Sequence, residues 1–76
     1  MPVIALFDGL KVEMYFNDHA PPHIHAKYAE YEVLVTIRES TVFAGYLPAK
    51  QLKQVQQYVS NNKEKLVARW EQYNPR

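Results

Sequence analysis

The chain has 76 residues, which suits one small domain and is too short for a second. It contains no cysteine, which excludes a disulfide framework, a thiolate metal site and a cysteine nucleophile, and which fits a reducing cytoplasm. The apolar run of residues 3–7 is too short for a secretory signal or a membrane span. We therefore expect a cytoplasmic protein with no membrane partner.

The net charge of +1 is unevenly distributed along the chain. Residues 1–46 carry three basic and six acidic side chains, whereas residues 47–76 carry six basic and two acidic ones. A basic C-terminal third suits a polyanion or an acidic protein partner. The alternative is that these lysines simply form solvated helix faces.

Three segments alternate apolar and polar residues with the period of a β-strand, namely residues 10–16, 23–28 and 31–37. Residues 3–7 and 41–46 are typical of shorter strands. Asp8-Gly9 predicts a hairpin turn, and Ala29-Glu30 has the length of another tight connection.

The pairing of these strands follows from placing apolar residues opposite apolar ones. This rule predicts Tyr28 opposite Tyr31 in one hairpin. In the preceding pair it predicts Met14 opposite Ala26, which also sets Glu13 opposite Lys27 and Tyr15 opposite His25. One face of the sheet is then wholly apolar.

After Pro48 the apolar period becomes helical, with an apolar stripe that ends at Val59. A second helical stripe includes Leu66, Trp70 and Tyr73, and Asn61 with Glu64 has the spacing of a capping box between the two. We predict an α+β fold, in which an antiparallel meander of four to five strands is followed by two C-terminal helices packed on its apolar face. Because the core is thin, pairing into a homodimer is a further option.

All three histidines, His19, His23 and His25, fall within seven residues, next to Asp18 and a Pro21-Pro22 pair. The alternation of residues 23–28 puts His23 and His25 on the same side of a strand, opposite the helices, so we expect both rings on the uncovered face. The proline-stiffened loop can then bring His19 or Asp18 over them. Three interpretations stay open: a metal site, metal-free acid–base chemistry, and a structural or interface role.

The sequence also resembles a known family. The residues that carry the resemblance are Met14-Tyr15-Phe16-Asn17-Asp18-His19-x-Pro21-Pro22-His23-Ile24-His25-Ala26, Gly45-x-Leu47-Pro48 and a late Leu66…Trp70. They look like the small bacterial domain-of-unknown-function family 4160, with Ile24 in place of the usual Phe and Lys50 in place of a common Arg. The resemblance implies a prokaryotic cytoplasmic protein of the toxin–antitoxin kind, with a cognate small protein partner and no established reaction.

These observations lead to a first hypothesis, an RNA-directed toxin-like component that acts as a ribonuclease without a cofactor. Its catalytic residues are predicted to be His19, His23 and His25, with Asp18 to orient an imidazole, and its phosphate-binding residues are predicted to be Lys27, Lys50 and Lys53. The alternatives are a non-catalytic antitoxin or regulator that docks a partner, and a small protein that binds a divalent metal such as Zn²⁺ through His19, His23 and His25.

Overall fold

The computed structural model describes residues 3–16 and 18–75. Five antiparallel strands form one meander sheet in the order β1-β2-β3-β4-β5, and two helices follow. The strands are β1 (Val3–Phe7), β2 (Leu10–Glu13), β3 (His23–Tyr28), β4 (Tyr31–Thr36) and β5 (Val42–Tyr46); the helices are α1 (Ala49–Asn61) and α2 (Lys63–Tyr73). The predicted α+β architecture is confirmed.

Local turn chemistry sets both predicted hairpins. Asp8 and Gly9 both have positive φ, as a two-residue hairpin turn requires, and they join β1 to β2. Ala29 also has positive φ, and the register of β3 on β4 pairs Tyr28 with Tyr31 as predicted. Because the loop has two residues, it fixes which residues of β3 and β4 lie opposite each other along the whole ladder.

The predicted register of β2 on β3 is wrong by two residues. Val12, and not Met14, lies opposite Ala26, and Glu13 lies opposite His25. A two-residue shift keeps every side chain on its own face, so apolar residues oppose apolar residues in both registers. The ladder ends at Glu13, and the predicted strand to Phe16 is therefore too long. Phe16 is 59% exposed and lies outside the core.

The apolar face of the sheet packs against both helices and forms the core. Val55 and Val59 of α1 and Leu66 and Trp70 of α2 are buried there, as the two helical stripes predict. The sheet contributes Leu10, Val12, Met14, Ile24, Ala26, Val33 and Val35, and Ile37 and Leu47 complete the core.

The helices are separated at Asn62, but the predicted capping box does not form. Asn61 is the last residue of α1, and the residue before α2 makes no side-chain cap hydrogen bond. The side chain of Asn62 instead donates from Nδ2 to the carbonyl oxygen of Tyr58 at 2.8 Å, so it caps the end of α1.

Candidate functional site

Two histidines enter the site from β3, on the face that the core does not use. Ile24 and Ala26 of β3 are buried in the core, and alternation turns His23 and His25 to the other face. Between β2 and β3 lies a loop, with residues 14–16 and 18–22 described, that carries Asp18 back over the two rings. Of the two residues that the loop is expected to bring over the histidine pair, His19 or Asp18, the structure places Asp18 against both rings.

Asp18 Oδ2 lies close to the Nε2 atoms of both histidines of β3. It lies 3.1 Å from His23 Nε2 and 3.3 Å from His25 Nε2. One donor atom from each of the three residues lies within 4.8 Å of the other two. We call Asp18, His23 and His25 the triad. Two imidazole nitrogens and one carboxylate oxygen are donors that Zn²⁺ and related transition metal ions accept.

The hydrogen bonds on the far side of each ring fix its tautomer. His23 Nδ1 is 2.7 Å from the carbonyl oxygen of Pro21, and His25 Nδ1 is 3.1 Å from Oε2 of Glu32. A carbonyl oxygen and a carboxylate oxygen only accept, so Nδ1 carries the hydrogen and donates in both rings. In the neutral imidazole the lone pair then lies on Nε2, which is the nitrogen that faces Asp18.

Both triad histidines are enclosed, which contradicts the expectation of rings on an uncovered face. His23 is fully buried and lies against the rings of Trp70 and Phe43, whose centroids are each 5.3 Å from its own. Tyr15 stacks on His25 with a centroid distance of 4.1 Å and an interplanar angle of 12°, and His25 is 9% exposed. The helices pack on the apolar face as predicted, but Trp70 of α2 also contacts His23, as does Phe43 of β5.

His19 lies beside the triad but supplies none of its three donors. Its side chain is 75% exposed, and its Nδ1 lies 3.1 Å from Oδ1 of Asp18, the oxygen that the two other histidines do not use. The backbone N–H of His19 donates to the same oxygen at 2.9 Å. The structure thus brings Asp18 together with all three predicted histidines, and places His19 at the surface.

The environment of Asp18 favours its charged form. Burial raises the pKa of this carboxyl, but the hydrogen bond from the backbone N–H of His19 and the neighbouring imidazoles of His25, His23 and His19 outweigh burial and hold the pKa below its usual value. A carboxylate that is ionised at neutral pH is the form that binds a metal ion.

A second polar group lies next to the triad on the same face of the sheet. The carboxylate of Glu13 is buried, accepts a hydrogen bond from the Tyr15 hydroxyl at 3.0 Å and pairs with Lys27 Nζ at 3.2 Å. Burial raises the pKa of Glu13, but the hydrogen bonds from Lys27 and Tyr15 outweigh it and lower that pKa. Burial and the bond to Glu13 raise the pKa of Tyr15, and the bond to Glu13 raises that of Lys27.

The lysines predicted to hold phosphate are dispersed. Lys27 is joined to Glu13, and its side chain is 35% exposed. Lys50 and Lys53 are exposed on α1, whose buried side packs on the apolar face of the sheet. Within residues 3–16 and 18–75, no hydrogen bond or ion pair joins either of them to the triad.

Sequence reasoning missed Asn74, which follows α2 and contacts the loop that carries Asp18. Its Oδ1 accepts the backbone N–H of Asp18, and its Nδ2 donates to the carbonyl oxygen of Tyr15 at 3.3 Å. These partners are separated from Asn74 by 56 and 59 positions, so no local pattern in the sequence indicates the contact.

Comparison with known proteins gives one match. The model of the family described as "Domain of unknown function (DUF4160)" matches residues 9–71, a range that includes the whole triad and its loop. Neither the curated proteins nor the solved structures give a match. No helix among the described residues has the length and apolar character needed to cross a membrane. Because the match spans most of the chain, the protein belongs to the DUF4160 family.

Proposed function

We propose that the triad binds a divalent transition metal ion, with Zn²⁺ as the first candidate. The observation that carries the proposal is the Nε2 atom of His23, which is buried and has no hydrogen-bond partner of acceptable geometry among the described residues. Buried polar atoms in native proteins are nearly always satisfied, and an unsatisfied one needs an explanation. A metal ion between this nitrogen and Asp18 supplies one.

The tautomers strengthen the case. In the neutral rings, the two Nε2 atoms that carry lone pairs lie 3.1 and 3.3 Å from the anionic Oδ2 of Asp18, so these electron-rich atoms repel each other. Either a shared proton or a cation relieves this repulsion. A divalent cation relieves it for both rings at once, whereas a proton on one ring leaves the lone pair of the other ring without a partner.

The separations also fit. In tetrahedral zinc sites the metal–ligand bonds are about 2.0–2.1 Å, so neighbouring ligand atoms are about 3.3–3.4 Å apart. The triad contacts of 3.1 and 3.3 Å are close to that edge length. The third separation, between the two Nε2 atoms, is within 4.8 Å, so binding the ion requires at most a modest approach of the two rings. Pro21 and Glu32 would act as the outer partners that orient the two ligating rings.

Titration with Co²⁺, a spectroscopic substitute for Zn²⁺, tests the proposal on protein purified without a histidine tag. We expect a 1:1 endpoint and visible absorption bands in the wild-type protein. His25→Asn should abolish them, while His19→Asn, the matched control outside the triad, should keep them. Absence of binding by the wild-type protein, or equal binding by His25→Asn, would refute the proposal.

RNA cleavage by a toxin–antitoxin component is the second candidate, and the exposed imidazole of His19 next to the triad favours it. His23 is fully buried and does not reach a phosphodiester in this arrangement, so a metal-free reaction would rest on His19 with His25. Induced expression of wild-type protein should degrade cellular RNA and slow growth, and His19→Asn should remove both effects. Intact RNA and normal growth on wild-type expression would exclude this candidate.

A partner-binding antitoxin or regulator, or a homodimer, is the remaining candidate. It is supported by β5, an edge strand whose five residues are all exposed and apolar, with Phe43 and Tyr46 among them. A Val42→Lys substitution should weaken pairing at this edge and leave metal binding intact. The measurement is the mass of the particle in solution, alone and with the cognate small protein.

A further inference from the structure

We infer that Asn74 is a positioning residue that holds the Asp18 loop in the geometry the metal needs. The inference rests on the proposed metal function and adds to it a residue from the other end of the chain. A single side-chain amide bridges the loop to the end of α2. Oδ1 accepts the backbone N–H of Asp18, while Nδ2 donates to the carbonyl oxygens of Tyr15 and Trp70.

The loop needs such support because it is outside the sheet ladder. The ladder of β2 ends at Glu13 and that of β3 begins at His23, so Asp18 lies midway in a segment without strand pairing. Near its C-terminal end, the carbonyl oxygen of Pro22 accepts the backbone N–H of Ile37 at 3.0 Å. Nearer its N-terminal end, Asn74 holds the loop through two hydrogen bonds, one to the backbone N–H of Asp18 and one to the carbonyl oxygen of Tyr15.

The same helix end also contacts a triad histidine. Trp70, one turn before Asn74, packs against the ring of His23, and its carbonyl oxygen accepts both the backbone N–H and the side-chain Nδ2 of Asn74. The end of α2 therefore contacts His23, the metal-binding residue of β3, and holds Asp18, the metal-binding residue of the loop. Metal affinity and the order of this helix end should be coupled, and such coupling is reciprocal.

Asn74 is suited to a clean test because its loss leaves no hole in the core. It is half-buried and lines a cleft of about 260 Å³ together with Pro22, Arg38 and Trp70. The chain also offers a matched control in Asn62. That residue likewise follows a helix, and its Nδ2 likewise donates to the carbonyl oxygen four residues earlier. It lies at the α1–α2 junction, however, and among the described residues its side chain makes no hydrogen bond to the triad.

The experiment measures Co²⁺ affinity and visible absorption for wild-type protein, Asn74→Ala and Asn62→Ala, with far-UV circular dichroism to verify folding. We expect about 10–100-fold weaker binding and an altered band shape for Asn74→Ala, the usual effect of losing a residue that orients a ligand. Asn62→Ala should bind like wild type. Equal affinity and spectra for Asn74→Ala and Asn62→Ala would overturn the inference, while the metal site itself would stand.

Amide hydrogen exchange on the wild-type protein gives a second readout that needs no substitution. Addition of Co²⁺ should slow exchange of the Asp18 N–H, because the metal fixes the loop on which Asn74 holds that group. Metal binding without any added protection at Asp18 would also overturn the role of Asn74. If the wild-type protein binds no metal at all, the proposed function fails, and this inference fails with it.

Discussion

Replacing Asp18 by Asn should remove most of the thermal stabilisation that Zn²⁺ gives. The amide has almost the same shape as the carboxylate and can still accept the N–H of His19 through Oδ1, so the loop should keep its form. The change removes the one anionic donor of the triad and places a neutral amide against two Nε2 atoms. We expect at least ~100-fold weaker binding, because a charged ligand is lost.

The size of the effect follows from linkage. Free Zn²⁺ at 100 times the wild-type Kd stabilises the folded state by about 2.7 kcal/mol. For a domain of this length, each kcal/mol shifts Tm by roughly 4–8 °C, so the wild-type Tm should rise by about 11–22 °C. At the same Zn²⁺ concentration, an Asp18→Asn protein with ~100-fold weaker binding gains only about 0.4 kcal/mol, or roughly 2–3 °C.

The assay is thermal unfolding followed by circular dichroism, on untagged protein with and without Zn²⁺, each variant compared with its own metal-free melt. A chelator should reverse the wild-type shift. His19→Asn serves as a control, because its ring is outside the triad and the Zn²⁺ shift should remain. A wild-type Tm that does not respond to Zn²⁺, or an Asp18→Asn protein that responds equally, would refute the reasoning.

Two further predictions concern the groups around the triad. Glu32→Ala should weaken Co²⁺ binding by about 10–100-fold, because it removes the acceptor that orients the ring of His25. Glu30→Ala, at an exposed turn residue, should have no effect, and a titration of both variants checks this. The second prediction concerns pH: the pKa of Glu13 is lowered in the folded protein, so its contribution to stability is present above the unfolded pKa of 4.5 and is lost as the pH falls through the folded value. Urea unfolding of metal-free protein should show that the free energy of unfolding falls at acid pH. Glu13→Gln should reduce the slope of that free energy against pH below pH 4.5. An unchanged slope would show that the Glu13 carboxyl does not contribute.

The sequence predicts the fold well where local signals determine it. The two-residue connection at Ala29-Glu30 sets the whole register of β3 on β4, and Asp8-Gly9 sets the first hairpin. The register of β2 on β3 was not predictable in the same way. A long loop separates the two strands, and the two candidate registers differ by a shift that leaves both faces unchanged.

The site, like the fold, was predictable only where local sequence signals determine it. The spacing of His23 and His25 predicts their shared side of β3, and the prolines after Asp18 predict a loop that returns over them. The burial of His23 was not predictable, because Phe43 and Trp70 come from distant parts of the chain. Likewise, nothing near Asn74 in the sequence indicates a contact with a loop more than 50 positions away.

X-ray absorption at the zinc edge of the 1:1 Zn²⁺ complex tests the metal proposal most directly. The account predicts scattering from two imidazole rings with Zn–N distances of about 2.0–2.1 Å and a carboxylate oxygen at about 2.0–2.2 Å. His25→Asn should remove one imidazole from the spectrum, and His19→Asn should remove none. A spectrum with no imidazole, or one that loses an imidazole in His19→Asn and not in His25→Asn, would contradict a metal centre built from Asp18, His23 and His25.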